Sequence, residues 1–325
     1  MSKQIWAEEI NAKGGLLGRP VKLVYYDDQT NAATVPGIYA KLIDVDKVDL
    51  LMGHATNLIV AAMPLIIERK KLVMVLLALG SNAEFKYPRY FQSAAFGPDS
   101  KGVLSNNFFA VAKSLAPEPK TVALVGADAE FSNNVLIGAR ENAKKYNLKI
   151  VYDRSYPPAT VDYTPIMRAI QATSPDVVLV ASYPPDSVGI VRAATEIGLR
   201  TQLFGGAMVG MQYASLMQQL GEKLNRVVNY HLYVPSAKMN FPGIEAFLKK
   251  YQAQAKEAGT DPLGFSIVGE IRFNELGEWA TARMLLVQFQ NVQGSGLDQY
   301  MTGHKQVILY PPEYKDGELE APFAK

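Results

Sequence analysis

The chain has 325 residues, nearly balanced charge (33 Lys+Arg against 31 Asp+Glu), no cysteine and three histidines. That length suits two lobes better than one core. The absence of any basic patch argues against nucleic acid, and the absence of cysteine excludes disulfides, thiolate nucleophiles and Cys-bound zinc. His54, His231 and His304 lack ligand spacing for a metal.

In chain order, the pattern predicts a helix to Ala12, a strand over Val21–Tyr25, a helix to Val45, a strand over Val48–Met52, a helix to Arg69 and a strand over Leu72–Leu77. Pro36 is compatible with the second helix only if that helix starts close to Thr34. Glycines and Pro20 between Gly14 and Pro20 mark the turn before the first strand. Leu72–Leu79, the most apolar run, has strand length, well short of the roughly 18 residues that span a bilayer, so no direct membrane insertion is expected. Met1–Trp6 has no apolar core or cleavage site of a signal peptide.

After the rigid break Ala116–Pro119 the alternation resumes. Strands are predicted over Thr121–Val125, Ile150–Tyr152, Val177–Ala181, Leu203–Phe204 and Val227–Tyr230, with amphipathic segments near Asn133–Tyr146, Thr164–Thr173 and Asp186–Ile197. A helix with Ile244, Phe247, Leu248 and Tyr251 on one side follows, then strand-like runs over Glu270–Phe273, Leu285–Val292 and Gln306–Tyr310. The expected fold is α/β, two doubly wound parallel-sheet lobes joined by crossovers. Residues 1–116 with 231–268 form the first lobe, and 117–230 with 269–325 the second.

In such sheets ligands bind at the carboxyl ends of the strands. On the first lobe this nominates Gly53–Asn57 and Ala78–Asn82, where helix N-termini and the hydroxyls of Thr56 and Ser81 suit a carboxylate. Ordinary helix capping by Thr56 or Asn57 is the competing reading. On the second lobe it nominates Gly126–Phe131, Ser182–Asp186 and Gly205–Gly210, which bring Phe131, Tyr183, Pro184 and Met208 to the crevice. The Gly205–Gly210 run is not a dinucleotide loop, since GxGxxG is unmet and no ribose-binding acid follows. Asp128 and Glu130 lack an accompanying nucleophile or base. Trp6 and Trp279 read as packing residues.

Ile10–Val21, Tyr26–Asp28, Val122–Asp128 and Val268–Phe273 resemble the type I periplasmic solute-binding proteins of ABC importers, in the branched-chain amino-acid class. The resemblance implies a two-lobed Venus-flytrap receptor, not an enzyme, without cofactor or metal. It implies a periplasmic location, a small-molecule carboxylate ligand in the inter-lobe cleft and a membrane permease as partner. By position, Thr56 and Asn57 match the first carboxylate-binding loop, Gly80 and Ser81 the second, Phe131 the aromatic that closes over the ligand, and Tyr183 a further cleft aromatic.

Where α-amino-acid binders carry an acid for the ammonium group, Ala207–Gly210 has none, and a buried unpaired ammonium costs several kcal/mol. What remains suits an aromatic or short aliphatic carboxylic acid, with Met208 part of an apolar wall, and the phrases Ser182–Asp186 and Gly205–Gly210 resemble the aromatic-acid-binding subgroup. The alternatives are a branched-chain amino-acid or amide binding or sensing module and, from another class, a Rossmann-like enzyme acting on a carboxylate. Against the family pattern the first lobe reads as incomplete: an opening strand and about two helices after Phe265 are missing, which would leave apolar surface beside Val21–Tyr25 bare.

Overall fold

The computed structural model describes residues 1–263, 271–301 and 304–323. The chain runs through α1 (Ser2–Ala12), α2 (Val35–Ala40, continued by a π-helical turn Lys41–Val45), β1 (Leu50–Gly53), α3 (Thr56–Glu68), β2 (Leu72–Val75), α4 (Asn82–Phe85) and β3 (Tyr90–Gln92). There follow α5 (Val103–Ala112), β4 (Thr121–Ala127), α6 (Glu130–Lys145), β5 (Lys149–Tyr156), α7 (Thr164–Ala172), β6 (Val177–Ser182), α8 (Pro184–Glu196) and β7 (Leu203–Met208). The chain ends with α9 (Ala214–Leu220), β8 (Val227–His231), α10 (Ile244–Ala258), β9 (Leu285–Phe289) and β10 (Gln306–Tyr310).

Two compact units result: Met1–Ala94 with Phe241–Trp279, and Ala95–Asn240 with Ala280–Lys325. The boundaries expected after residues 116, 230 and 268 therefore move to 94, 240 and 279. Side-chain hydrogen bonds explain each shift. Asn107 on α5 donates to Met284 O at 2.9 Å, which ties α5 to the second unit. Ser236 donates to Asp316 at 2.6 Å and keeps the residues after β8 there as well. Conversely, Asn82 donates to Leu276 O at 2.7 Å and the Trp279 indole N–H to Ser93 O at 3.1 Å, so residues just before Ala280 belong to the first unit. Of the two tryptophans, Trp279 is packed as expected, whereas Trp6 is 40% exposed.

The first unit is built on a parallel sheet of order β1-β2-β3. Its core gathers Leu51, Val73 and Val75 from the sheet with Ile59, Met63 and Ile66 from α3. Pro36 lies in the first turn of α2, whose N-cap is Thr34, as the sequence required. Leu50 and Met52 stay outward on β1, and Val24, Tyr25 and Tyr26 are exposed too. The strand expected at Val21–Tyr25 is not formed: residues 21–28 join no sheet among the described residues. The strand expected at Glu270–Phe273 falls partly outside the described residues, and Phe273 forms only an isolated bridge with Trp279.

Glu278 is 2% exposed, and neither carboxyl oxygen has a hydrogen-bond partner. It lies close enough to Tyr90 to act on that phenol electrostatically. The Tyr90 hydroxyl donates to Gln92 Oε1 at 3.2 Å, while the Gln92 Nε2 is itself unpartnered.

The second unit carries a seven-stranded sheet of order β10-β9-β8-β7-β6-β4-β5. Strands β5, β4, β6, β7 and β8 are parallel, and β9 and β10 add antiparallel at one edge. Every residue of β6 and β7 is buried, as expected of parallel strands covered on both faces. The run expected as a loop, Gly205–Gly210, is strand through Met208 and then a 3-10 turn over Val209–Gln212. Gly205 is required there: its φ is +126°, and a Cβ would stand 2.0 Å from Val228 O on β8.

Candidate functional site

In the first unit the carboxyl ends of β1 and β2 lead into two loops that are joined to each other. Leu76 N–H donates to Gly53 O at 3.0 Å, and Leu79 N–H donates to the Thr56 hydroxyl oxygen at 3.0 Å. Thr56 is 2% exposed and occupies the first position of α3. The N-cap is Ala55, at φ +63°, and makes no side-chain cap bond, so the expected capping by Thr56 or Asn57 is not what these residues do. Thr56 instead links the loops.

Asn57 Oδ1 is buried without a partner. Gly80, at φ +68°, turns the second loop. Ser81 follows as the N-cap of α4, 3% exposed, its hydroxyl unpartnered. Asn82 anchors this loop from below by donating to Tyr87 O at 3.0 Å and accepting from Tyr87 N at 2.9 Å. The expected residues Thr56, Asn57, Gly80 and Ser81 thus lie on two joined loops, which carry a buried hydroxyl and a buried amide oxygen without partners.

In the second unit the ends of β4, β6, β7 and β8 place an aromatic group. Phe131, in the first turn of α6, packs edge-on against Tyr183 at 6.0 Å between centroids and tilted against Tyr230 at 6.2 Å. Phe131 N–H donates to the Tyr183 hydroxyl at 3.1 Å. Burial pushes the Tyr183 phenol up to about 12, and the Phe131 N–H opposes that shift. Met208 is fully buried at the end of β7, its N–H bound to Asn229 Oδ1 at 2.8 Å. Its methyl group lies against Gly205, so it is a buried core side chain rather than an exposed loop one.

Sequence reasoning did not single out Tyr230 or Gln212. Tyr230, on β8, is 1% exposed and Gln212 3% exposed. Burial pushes the Tyr230 phenol up, Tyr213 adds to that rise, and hydrogen bonding from the Gln212 side chain opposes it.

Three acids lie near this edge. Asp128 and Glu130 are exposed, and Asp128 accepts from Asn133 Nδ2 at 3.2 Å. Asp186 is 6% exposed in the first turn of α8 and takes the Tyr156 hydroxyl on Oδ2. Burial raises its pKa, and hydrogen bonds from Tyr156 and from backbone groups at Tyr183 and Asp186 counter the rise. Asp186 is thus committed to a helix end and a tyrosine. Among the described residues no group of His, Asp and Glu could hold a metal ion, and no helix is long and apolar enough to cross a membrane.

A family profile described as periplasmic binding protein matches residues 3–269. Leu/Ile/Val-binding protein homolog 7 of Brucella abortus is 24% identical over 278 residues, covering 82% of this chain and 68% of that protein. The chain spans about two thirds of the length of the curated relatives it matches. Among solved structures, the branched-chain amino acid transporter substrate binding protein of Streptococcus pneumoniae in complex with isoleucine is similar, with a TM-score of 0.74, 17% identity, and coverage of 95% of this chain and 93% of that one. The solute binding protein of an ABC transporter from R. palustris in complex with 4-hydroxybenzoate has a TM-score of 0.64, 20% identity, and coverage of 80% and 69%. At these identities the two structures speak for the fold.

Proposed function

The chain belongs to the periplasmic binding protein family, and from that premise we propose that it is an extracytoplasmic receptor of an ABC importer. Its ligand is a small carboxylate, and specifically an aromatic acid. The observation that carries this reading is the aromatic group of the second unit, Phe131 with Tyr183 and Tyr230, beside which the buried acid Asp186 is already committed to Tyr156. An aromatic ring buried against such side chains gains roughly 25 cal/mol per Å² of apolar surface. The first unit by itself offers features that suit a carboxylate: Ser81 has a hydroxyl to donate, and α3 begins nearby in sequence at Thr56. Thr56, Asn57, Gly80, Ser81, Phe131 and Tyr183 are the ligand-binding residues on this reading, with Met208 supporting the aromatic wall.

One observation favours a second reading, a branched-chain amino acid. Asn57 Oδ1 is a buried acceptor without a donor, which an ammonium group would satisfy. The Leu/Ile/Val-binding relatives and the isoleucine complex support the same ligand class. A neutral amide oxygen compensates a buried ammonium less well than a carboxylate does, so the aromatic acid is preferred.

Isothermal titration of benzoate, 4-hydroxybenzoate, cinnamate, leucine, isoleucine and valine into the same protein decides between them. The expected result is at least one aromatic acid binding about tenfold more tightly than any of the three amino acids, a margin of about 1.4 kcal/mol. Leucine binding more tightly than every aromatic acid refutes the preference.

A further inference from the structure

Tyr183 is only half-buried at the end of β6, whereas the side chains that hold it are hidden: Asp186 and Ser187 are 6% and 0% exposed. The Tyr183 N–H donates to the Asp186 carboxylate. The Ser187 hydroxyl donates to Tyr183 O at 2.6 Å and accepts from Gly210 N–H at 3.1 Å, which ties the start of α8 to the turn after β7. Asp186 is braced in turn by the hydroxyl of Tyr156, the last residue of β5. Tyr156 packs edge-on against Tyr163 at 5.5 Å between centroids, and the Tyr163 hydroxyl donates to Thr160 O at 2.7 Å. Gly189 leaves room for the Tyr163 ring, since a Cβ there would stand 2.5 Å from it.

The far end of Tyr183 carries the result. Its hydroxyl accepts the Phe131 N–H at 3.1 Å, and Phe131 is the second residue of α6, where an N–H has no partner inside its own helix. One line of contacts therefore runs from Tyr156 through Asp186 and Tyr183 to Phe131. As a source of stability its buried acid is inefficient: taking a carboxylate out of water costs several kcal/mol, and packed apolar residues of similar volume are often at least as stable. What a buried, hydrogen-bonded pair supplies is one fixed geometry. Here that geometry is the Tyr183 backbone, and through it the ring that meets Phe131 at 6.0 Å.

We propose that Tyr156 and Asp186 are positioning residues of the ligand site, holding Tyr183 so that its ring and hydroxyl fix Phe131 before any ligand arrives. They act through Tyr183 and do not touch the ligand. That Tyr183 and Phe131 meet an aromatic acid rests on the reading above, whereas the line that holds them does not.

Amide hydrogen exchange of the ligand-free protein, read by NMR, tests the line without a ligand. In Tyr156→Phe the Phe131 amide should exchange at least about tenfold faster, relative to Val178 and Val180 in β6, than it does in wild type. Asp186→Ala should do the same, and Asp186→Asn, which keeps an oxygen to accept the Tyr183 N–H, should restore most of the protection. A merely structural role lowers stability as a whole and speeds all three amides by a similar factor. That result overturns the positioning role, as does a Phe131 amide unprotected in wild type. Should Asp186→Ala not fold, Tyr156→Phe alone carries the test. Isothermal titration of benzoate, 4-hydroxybenzoate and cinnamate then reads the consequence for binding. Tyr156→Phe should weaken the tightest of the three by about tenfold in the wild-type background and by less than about twofold in Tyr183→Phe. Equal factors in the two backgrounds overturn the positioning role and leave the aromatic-acid reading standing. If none of the three acids binds, the aromatic-acid reading fails, and exchange decides the positioning role on its own.

Discussion

Replacing Glu278 with glutamine should make the protein more stable in alkaline buffer. The carboxyl is almost fully buried, neither oxygen has a partner, and burial pushes its pKa from 4.5 up to about 8. Its folded-state pKa is therefore raised, so the folded protein keeps a proton that the unfolded chain releases once pH exceeds about 4.5. The resulting stability is fully present below that value and is lost as pH rises through about 8. At about 1.4 kcal/mol per pH unit, the span from 4.5 to about 8 is worth roughly 5 kcal/mol. That is a ceiling, because water reaching a charged carboxylate lowers the penalty. Glutamine keeps the shape and cannot ionise. Urea denaturation of both proteins from pH 5 to pH 9 should give curves that diverge steadily in favour of Glu278→Gln up to about pH 8 and run parallel beyond it. Parallel curves across the whole range would show that the carboxyl is solvated or paired, and would refute the reasoning.

Ser81→Ala should weaken a carboxylate ligand by about 1 to 3 kcal/mol in calorimetry while leaving ligand-free stability unchanged, because its hydroxyl has no internal partner. Thr56→Val should instead cost about 1 to 3 kcal/mol of stability by urea denaturation, since it removes the hydroxyl to which the buried Leu79 N–H donates. Gly205→Ala should lower stability by at least about 3 kcal/mol or prevent folding, whereas Gly18→Ala, also at positive φ but with open space around it, should cost about 1 kcal/mol, both read from melting curves. Burial lowers the pKa of His231 to about 3 from 6.5, so the unfolded chain takes up a proton that the folded one refuses. Stability should fall as pH drops below about 6.5 toward 3, and His231→Gln should flatten that part of the profile.

The strands of the second unit were legible because β4, β6 and β7 lie between two helical layers and read as short unbroken apolar runs. The double glycine of β7 broke that signal: Gly205 is there to admit the β8 backbone, a reason that only the folded neighbour reveals. Some elements left too little pattern to find, α9 (Ala214–Leu220), β3 and α5 among them. β3 has only three residues, and α5 buries residues around much of its circumference, so its apolar positions carry no clear period. Val21–Tyr25 has a strand's composition, yet composition alone cannot provide a neighbouring ladder. At the site, loops that follow strands were easy to nominate because turn chemistry is local. Tyr230 was not, since a tyrosine within a strand reads as core until its ring is seen to rest on Phe131.

The bond from Leu79 N–H to the Thr56 hydroxyl oxygen has an evolutionary corollary. Two loops that share a buried hydrogen bond cannot drift apart independently, and a substitution in one is felt in the backbone of the other. On the proposed function, descendants of this sequence that take a new ligand would therefore keep Thr56 and Ser81 and vary side chains such as Phe131 and Tyr183. Each of these can be exchanged without breaking a bond between first-unit loops. Divergence among such receptors should accumulate unevenly, with one surface of the chain conservative and the other permissive.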